Sequence, residues 1–387
     1  MTQRSAAALD QYGITESRGF LPNEDPLVRF ETASHGPAAS EYLRSLDEMG
    51  ERLPALLETG ESRPALDALP EPPDGLFEEL SDQEVRRLCL LTGFFASGYV
   101  NEIGSGPVDS LPAGVAVPLY QSSRRLGRKP ILSYDTISLQ NFRRPDPEGD
   151  PTLDNLDTVQ EFTSLSDEQW FVIIHVAIEA AAGPGLVAAA NAHDAVRADD
   201  PDSLREYLRT MAASMEEQTR IMGRMSQNNE PEVFATSFRP YYEGFDEVVY
   251  EGVDALDGEP QTLRGGSGAQ SCVLPSLDGA LGIEHGSTVL LEKLLDMRTY
   301  MPESHRAVIT AFKEDVDIRP YVSDQSDPEL REAFNRCIDS MQQFRKVHFG
   351  QVMGYIRAQT GETTGTGGTD YEKFLGKLTD ETADHRV

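Results

Sequence analysis

The chain has 387 residues and carries 34 Lys plus Arg against 65 Asp plus Glu, a formal charge of −31. That length supports a large buried core and more than one domain, and 39% hydrophobic with 26% charged residues is the balance of a soluble globular protein. A field this negative repels phosphate backbones and anionic bilayers, which sets nucleic acid and membrane surfaces aside as partners.

Cys89, Cys272 and Cys337 are far apart, and no CxxC or CxxCH occurs. A disulfide framework, a structural zinc site and covalent cofactor attachment through cysteine therefore lack support, and a reducing cytoplasm is the simplest setting. The N-terminus has no apolar run of the kind a secretory signal carries.

Residues 1–103 read as a small helical unit, broken by Pro and acidic clusters such as PALDALPEPPDGLFEEL at Pro64–Leu80. A helix is predicted from Ser81 to Tyr99, because Ser81 and Glu84 form an S-x-x-E capping box before an apolar run. Gly104–Pro118 is dense in Gly and Pro, and residues 104–123 are read as the interdomain connection. The remaining chain, 124–387, is patterned mainly as helix. Residues 146–157 read as a loop, and 167–195, 201–227, 271–297 and 327–359 as helices. Period-two alternation is scarce, so strands should be few, and the fold class is all-α. Trp170–Ala192 is apolar and long enough to raise the question of a bilayer span. It contains His175, Glu179 and Pro184, and a buried core helix is the better reading.

The last long helix has the most regular pattern. Its stripe runs Leu330, Phe334, Cys337, Met341, Phe344, then Val352 and Tyr355, with His348 four residues from each neighbour in the gap. Helix geometry puts His348 on the buried face, with Arg345 one turn earlier. The segment from Gly361, GETTGTGGTDYEKFL, cannot hold a helix at its start and is expected as a mobile loop followed by a short helix.

The chain has no GxxxxGK[ST], HExxH, EF-hand loop or GxSxG elbow, and no GxGxxG placed between a strand and a helix, which argues against common nucleotide, metalloprotease and serine-hydrolase chemistry. Four features remain. His348 on an apolar face is either a satisfied core histidine or a neutral imidazole suited to a heme iron. His175 is similarly open, and two buried histidines on separate helices are how helical bundles build cofactor sites. RGGSGAQS at Arg264–Ser271 is either a plain Gly-rich loop or a helix entry whose amides face an anion. Arg239, among Phe234, Phe238 and Tyr241, is either a surface cation or a clamp for a carboxylate.

The order of these pieces resembles the indoleamine 2,3-dioxygenase family. The likeness is carried by RGFLPNEDPL from Arg18, SYDTISLQNFRRPDP from Ser133 and WFVIIHVAIEAAA from Trp170. It continues with VYEGV from Val249, GGSGAQSCVLPSLDGALGI from Gly265, DMRTYMPESHR from Asp296, FRKVH ending at His348 and GTGGTD ending at Asp370. The resemblance implies a small N-terminal helical domain over a larger domain that holds heme b, iron protoporphyrin IX. It implies His348 as the iron ligand, with Asp278, Arg345, Gly265 and Gly266 around the cofactor. Tyr134, Phe171, Phe234, Arg239, Ser267 and Thr366 match the family's substrate pocket. His175 is similar to the residue that bonds the indole N–H in tryptophan 2,3-dioxygenases, and it stands where vertebrate members of the family carry Ser. Glu243 replaces a small residue and is read as solvated. The implied reaction inserts both atoms of O2 across the indole C2–C3 bond of L-tryptophan, or a close indole derivative, to give N-formylkynurenine, with an external reductant keeping the iron ferrous. Two other readings stand beside it, a heme enzyme of the same superfamily with different indole chemistry and a non-catalytic heme or tryptophan sensor.

Overall fold

The computed structural model describes residues 9–286, 288–315, 318–366, 368 and 370–387. Helix α1 (Pro37–Thr59) packs against α2 (Asp82–Val100). The predicted capping box is in place on α2. The Ser81 hydroxyl accepts from the Glu84 N–H, and the Glu84 carboxylate accepts from the Ser81 N–H at 2.9 Å. Behind the cap, Leu88 to Ala96 are almost wholly buried.

Part of the stretch read as an interdomain connection is helical. Residues 113–125 form helix α3 (Ala113–Arg125), which lies along α2. The glycine that reads as punctuation is a packing residue here. A Cβ on Gly114 would stand 2.2 Å from the Leu69 carbonyl oxygen, so only Gly permits that approach.

Further along the chain come α4 (Ser166–Ala181), α5 (Gly183–Arg197), α6 (Pro201–Met222), α7 (Val273–Leu281), α8 (Thr288–Arg298) and α9 (Glu303–Lys313). Helix α10 (Pro328–Val352) starts at Asp327, whose carboxylate accepts from the Glu329 and Leu330 N–H groups, with Pro328 at the first helical position. The predicted stripe is its inner face, since Leu330, Phe334, Cys337, Met341 and Phe344 are all buried. This face packs on α6 and on α11 (Tyr371–Ala383). Arg336 adds a two-pronged pair to Glu216 at 2.8 and 2.9 Å. The helix then continues through a π turn at Met353–Arg357.

The segment Ser166–Arg197 is apolar enough to cross a bilayer by length and composition, yet 67% of its most apolar window is buried inside the protein, in keeping with a core helix. It is two helices rather than one, joined at Ala182 ahead of Pro184. The expected helix at 271–297 is also divided. Gly282 ends α7 in the left-handed conformation (φ 68°), and residues 283–286 have no regular structure before α8.

The few strands form one small sheet. Ser110–Leu111 (β1) runs parallel to Phe245–Tyr250 (β2), which pairs antiparallel with Gln261–Leu263 (β3). The sheet is minor in a predominantly helical fold, but it positions the site. Strand β2 leaves the turn that carries Arg239, and β3 runs directly into Gly265.

Candidate active site

Helix α10 brings His348 to the wall of a cavity with about 1890 Å³ of atom-free space, its mouth included. The imidazole has no hydrogen-bond partner among the described residues. Burial, with His175 nearby, pushes its pKa down to about 4, so the ring is neutral at physiological pH. Gly268 lies on the same side of the cavity, where a Cβ would stand 4.0 Å from His348 Nε2, at ordinary contact distance.

Arg345, one turn before His348, is buried and grips Asp278 of α7 with both carboxylate oxygens at 2.7 and 2.9 Å. It also donates to the Thr382 hydroxyl of α11. Burial alone would push the Asp278 carboxyl up, but Arg345 and His285 beside it hold it below the usual carboxylate range. The pair fixes three helices around the cavity, and its two members both line it.

His175 faces the same cavity from α4. Its Nδ1 lies 2.7 Å from the Phe171 carbonyl oxygen, one turn back. A carbonyl only accepts, so Nδ1 carries the proton and Nε2 keeps its lone pair. Burial lowers the His175 pKa and keeps the ring in that neutral form. Phe171 lies tilted against His175 (centroids 4.5 Å apart) and Phe234 (5.1 Å), and Tyr134 meets His175 edge-on at 5.9 Å. These rings make one aromatic wall of the cavity.

Arg239 stands at the rim with its side chain 3% exposed. Its Nη2 pairs with Glu362 at 2.9 Å and its Nη1 faces Glu243 at 3.6 Å, while the Thr364 carbonyl accepts from Nη2 at 3.5 Å. Glu243, read as solvated, is open to solvent and also lies beside Arg239. It is half-buried in the field of Arg239, and burial raises its pKa against the pull of that guanidinium.

Of the two readings of the RGGSGAQS run, the structure is nearer to the plain glycine-rich loop. The run forms a three-residue turn, Gly268–Gln270, in which the Gln270 N–H donates to the Ser267 carbonyl at 2.9 Å. The Ser267 hydroxyl accepts from the Ala269 N–H, and Gln270 ties the segment together by accepting from the Tyr134 N–H at 2.9 Å and donating to the Gly265 carbonyl at 3.0 Å. Ser267 and Gly266 line the cavity. Gly265 lies behind them rather than in the wall, because a Cβ there would meet the Tyr242 carbonyl oxygen at 2.0 Å. Thr366 docks on this segment, its hydroxyl donating to the Gly266 carbonyl at 2.6 Å while its own carbonyl accepts from the Gly265 N–H at 3.2 Å. The predicted loop thus closes onto the glycine run, though residues 367 and 369 of it lie outside the described residues, and the helix expected after it is α11.

The sequence reading missed Glu179, Tyr242 and Tyr355. Glu179 is wholly buried one turn after His175 and accepts from the Tyr134 hydroxyl at 2.9 Å and from the Ser271 hydroxyl at 2.6 Å. Its other oxygen has no partner, and burial pushes its pKa up to about 7. The i, i+4 spacing from His175 was the available signal. Tyr242 stacks on Phe171 and Tyr355 meets Phe234 edge-on.

Core helices and a glycine-rich segment here enclose one cavity lined by aromatic rings and two neutral imidazoles, an arrangement suited to a helical oxidoreductase with a bound cofactor. The indoleamine 2,3-dioxygenase family model matches residues 8–363, and the chain belongs to that family, whose members are heme dioxygenases acting on indoles. Indoleamine 2,3-dioxygenase 1 of Rattus norvegicus is 31% identical over 98% of this chain and 95% of its own length. Indoleamine 2,3-dioxygenase 2 of Mus musculus is 30% identical over 99% and 96%. The indoleamine 2,3-dioxygenase of Saccharomyces cerevisiae is 29% identical over 98% and 94%. The residues present suit a heme. An unpartnered neutral imidazole faces an open volume, a glycine stands beside it, and Phe344, Val352 and Leu274 supply apolar wall.

Proposed function

We propose that the protein is a heme-dependent dioxygenase that converts L-tryptophan, with O2, to N-formylkynurenine. The observation that carries this reading is the pair of neutral imidazoles, His348 and His175, brought from two different core helices to one cavity. His348 would hold the iron of heme b, which when bound supplies the centre that activates O2. The remaining work falls to the side chains. His175 Nε2 accepts the indole N–H, which sets the ring's rotation against the wall formed by Tyr134, Phe171 and Phe234. Arg239 takes the substrate carboxylate, and Thr366 with the glycine run closes the mouth and excludes water. Arg345 and Asp278 hold the frame around the cofactor, so that His348 keeps its orientation. No side chain is required as a general base, and the reductant that restores ferrous iron comes from outside the chain.

The test is direct. The heme-loaded protein is given ascorbate, L-tryptophan and air, and the products are separated. N-formylkynurenine is expected. An oxidised or rearranged indole other than N-formylkynurenine would reassign the reaction, and a bound indole with no turnover would make the protein a sensor.

A further inference from the structure

A second cavity, with about 1550 Å³ of atom-free space including its mouth, lies between the N-terminal segment (residues 12–27), α2 and the start of α9. It shares no lining residue with the cavity of His348. Its charge runs against that of the chain, in which 65 acids outnumber 34 bases. The inner carboxylates are already matched. Asp25 is held by both Arg18 and Arg144, at 2.9 and 2.8 Å. Asp82 pairs with Arg125 at 2.9 Å, and the buried Asp135 pairs with Arg128. Glu24 and Glu303 are exposed to solvent.

The donors, by contrast, are not used up. Arg86 lines the cavity and has no ion-pair or hydrogen-bond partner among the described residues. Arg87 beside it is buried, its side chain 4% exposed. Its Nε and Nη2 donate to Asp47 at 3.1 and 2.8 Å, while Nη1 has no partner. His305 lines the cavity from α9, and burial, with Arg86 and Arg128 nearby, keeps its ring neutral. Helix α9 also starts at this wall, and no side chain caps its first N–H groups. The positive end of its dipole is therefore open to a ligand.

We propose that this cavity is a second ligand site, separate from the reaction centre, for a small oxyanion of the carboxylate or phosphate class. Arg86 offers a free guanidinium fork, Arg87 Nη1 a buried donor that gains by being paired, and the start of α9 a set of backbone donors. The Phe20 ring, 4.9 Å from the His305 ring between centroids, gives the site a flat apolar side for a small hydrocarbon body. Asp135 Oδ1 has no partner and can accept from a hydroxyl on the same ligand.

The experiment is a calorimetric titration of the heme-loaded protein with inorganic phosphate in one arm and malonate in the other, potassium chloride holding the ionic strength constant. Saturable binding of one equivalent is expected in at least one arm, and the tighter arm identifies the head group. Arg86→Gln removes no contact within the fold and should weaken that binding about tenfold or more. Arg52→Gln removes an exposed guanidinium on α1 that does not line the cavity, and should leave the affinity within about twofold. Both variants should keep the wild-type urea midpoint, so that lost binding is not lost folding. No saturable binding up to about 10 mM in either arm overturns the proposal. Equal weakening by the two substitutions overturns it as well, because it would show a diffuse effect of net charge rather than a site.

Discussion

Replacing Glu179 with Gln should change the pH dependence of stability in a defined direction. The carboxyl is wholly buried, both of its hydroxyl donors converge on one oxygen, and burial moves its pKa from 4.5 to about 7. An acid whose folded-state pKa lies above its unfolded value keeps its proton in the folded protein after the unfolded chain has lost it. Below 4.5 both states are protonated and the group contributes nothing. Between 4.5 and about 7 folding is progressively penalised, and above about 7 the penalty is complete. At about 1.4 kcal/mol for each pH unit between the two pKa values, the full penalty is about 3 kcal/mol. Gln keeps the acceptor for Tyr134 and Ser271 and has no charge to desolvate. Any fixed cost of its amide group cancels in a comparison across pH. Urea denaturation of heme-loaded E179Q and wild type should therefore show the difference between them growing in favour of Gln by about 3 kcal/mol from about pH 4 to about pH 8. A difference that stays constant over that interval would refute the reasoning and show that the native site tolerates an ionised Glu179.

Three further outcomes follow from the same geometry. Methylating the indole nitrogen removes the proton that His175 Nε2 is placed to accept, so 1-methyl-L-tryptophan should bind roughly tenfold more weakly than L-tryptophan in titrations; equal affinity would remove His175 from that role. Arg239→Ala should weaken L-tryptophan by about ten- to a hundredfold while leaving plain indole within about twofold, the signature of a lost charged hydrogen bond; equal losses for both ligands would mean the residue only supports the fold. Gly265→Ala places a Cβ 2.0 Å from the Tyr242 carbonyl oxygen. It should lower stability by about 2 kcal/mol or more, read from the urea midpoint, and an unchanged midpoint would contradict the packing account.

Local periodicity made the central residue legible. The stripe from Leu330 to Phe344 and the gap that holds His348 are properties of one helix, and a 3.6-residue repeat places them without reference to the rest of the chain. The capping box at Ser81 and Glu84 is local in the same sense. Contacts between distant segments were not legible in this way. Glu362 reaches Arg239 across 123 residues, and nothing near either one in the chain announces the pair. Gly114 and Gly265 look like turn signals, but they are sites where two backbones touch, a distinction that only the neighbouring segment decides. The family resemblance located Tyr134, Phe171, Phe234 and Thr366 at the cavity, but not the buried carboxyl of Glu179 that orients Tyr134 from behind.

The claim on which the account depends is that the His348 imidazole is the protein's bond to iron. The most direct measurement is the absorption spectrum of His348→Gly after heme loading, recorded without and then with free imidazole. The expected result is loss of the wild-type Soret band and of heme retention, both restored as imidazole fills the space left by the side chain. A variant that retains heme with the wild-type spectrum in the absence of imidazole would contradict it.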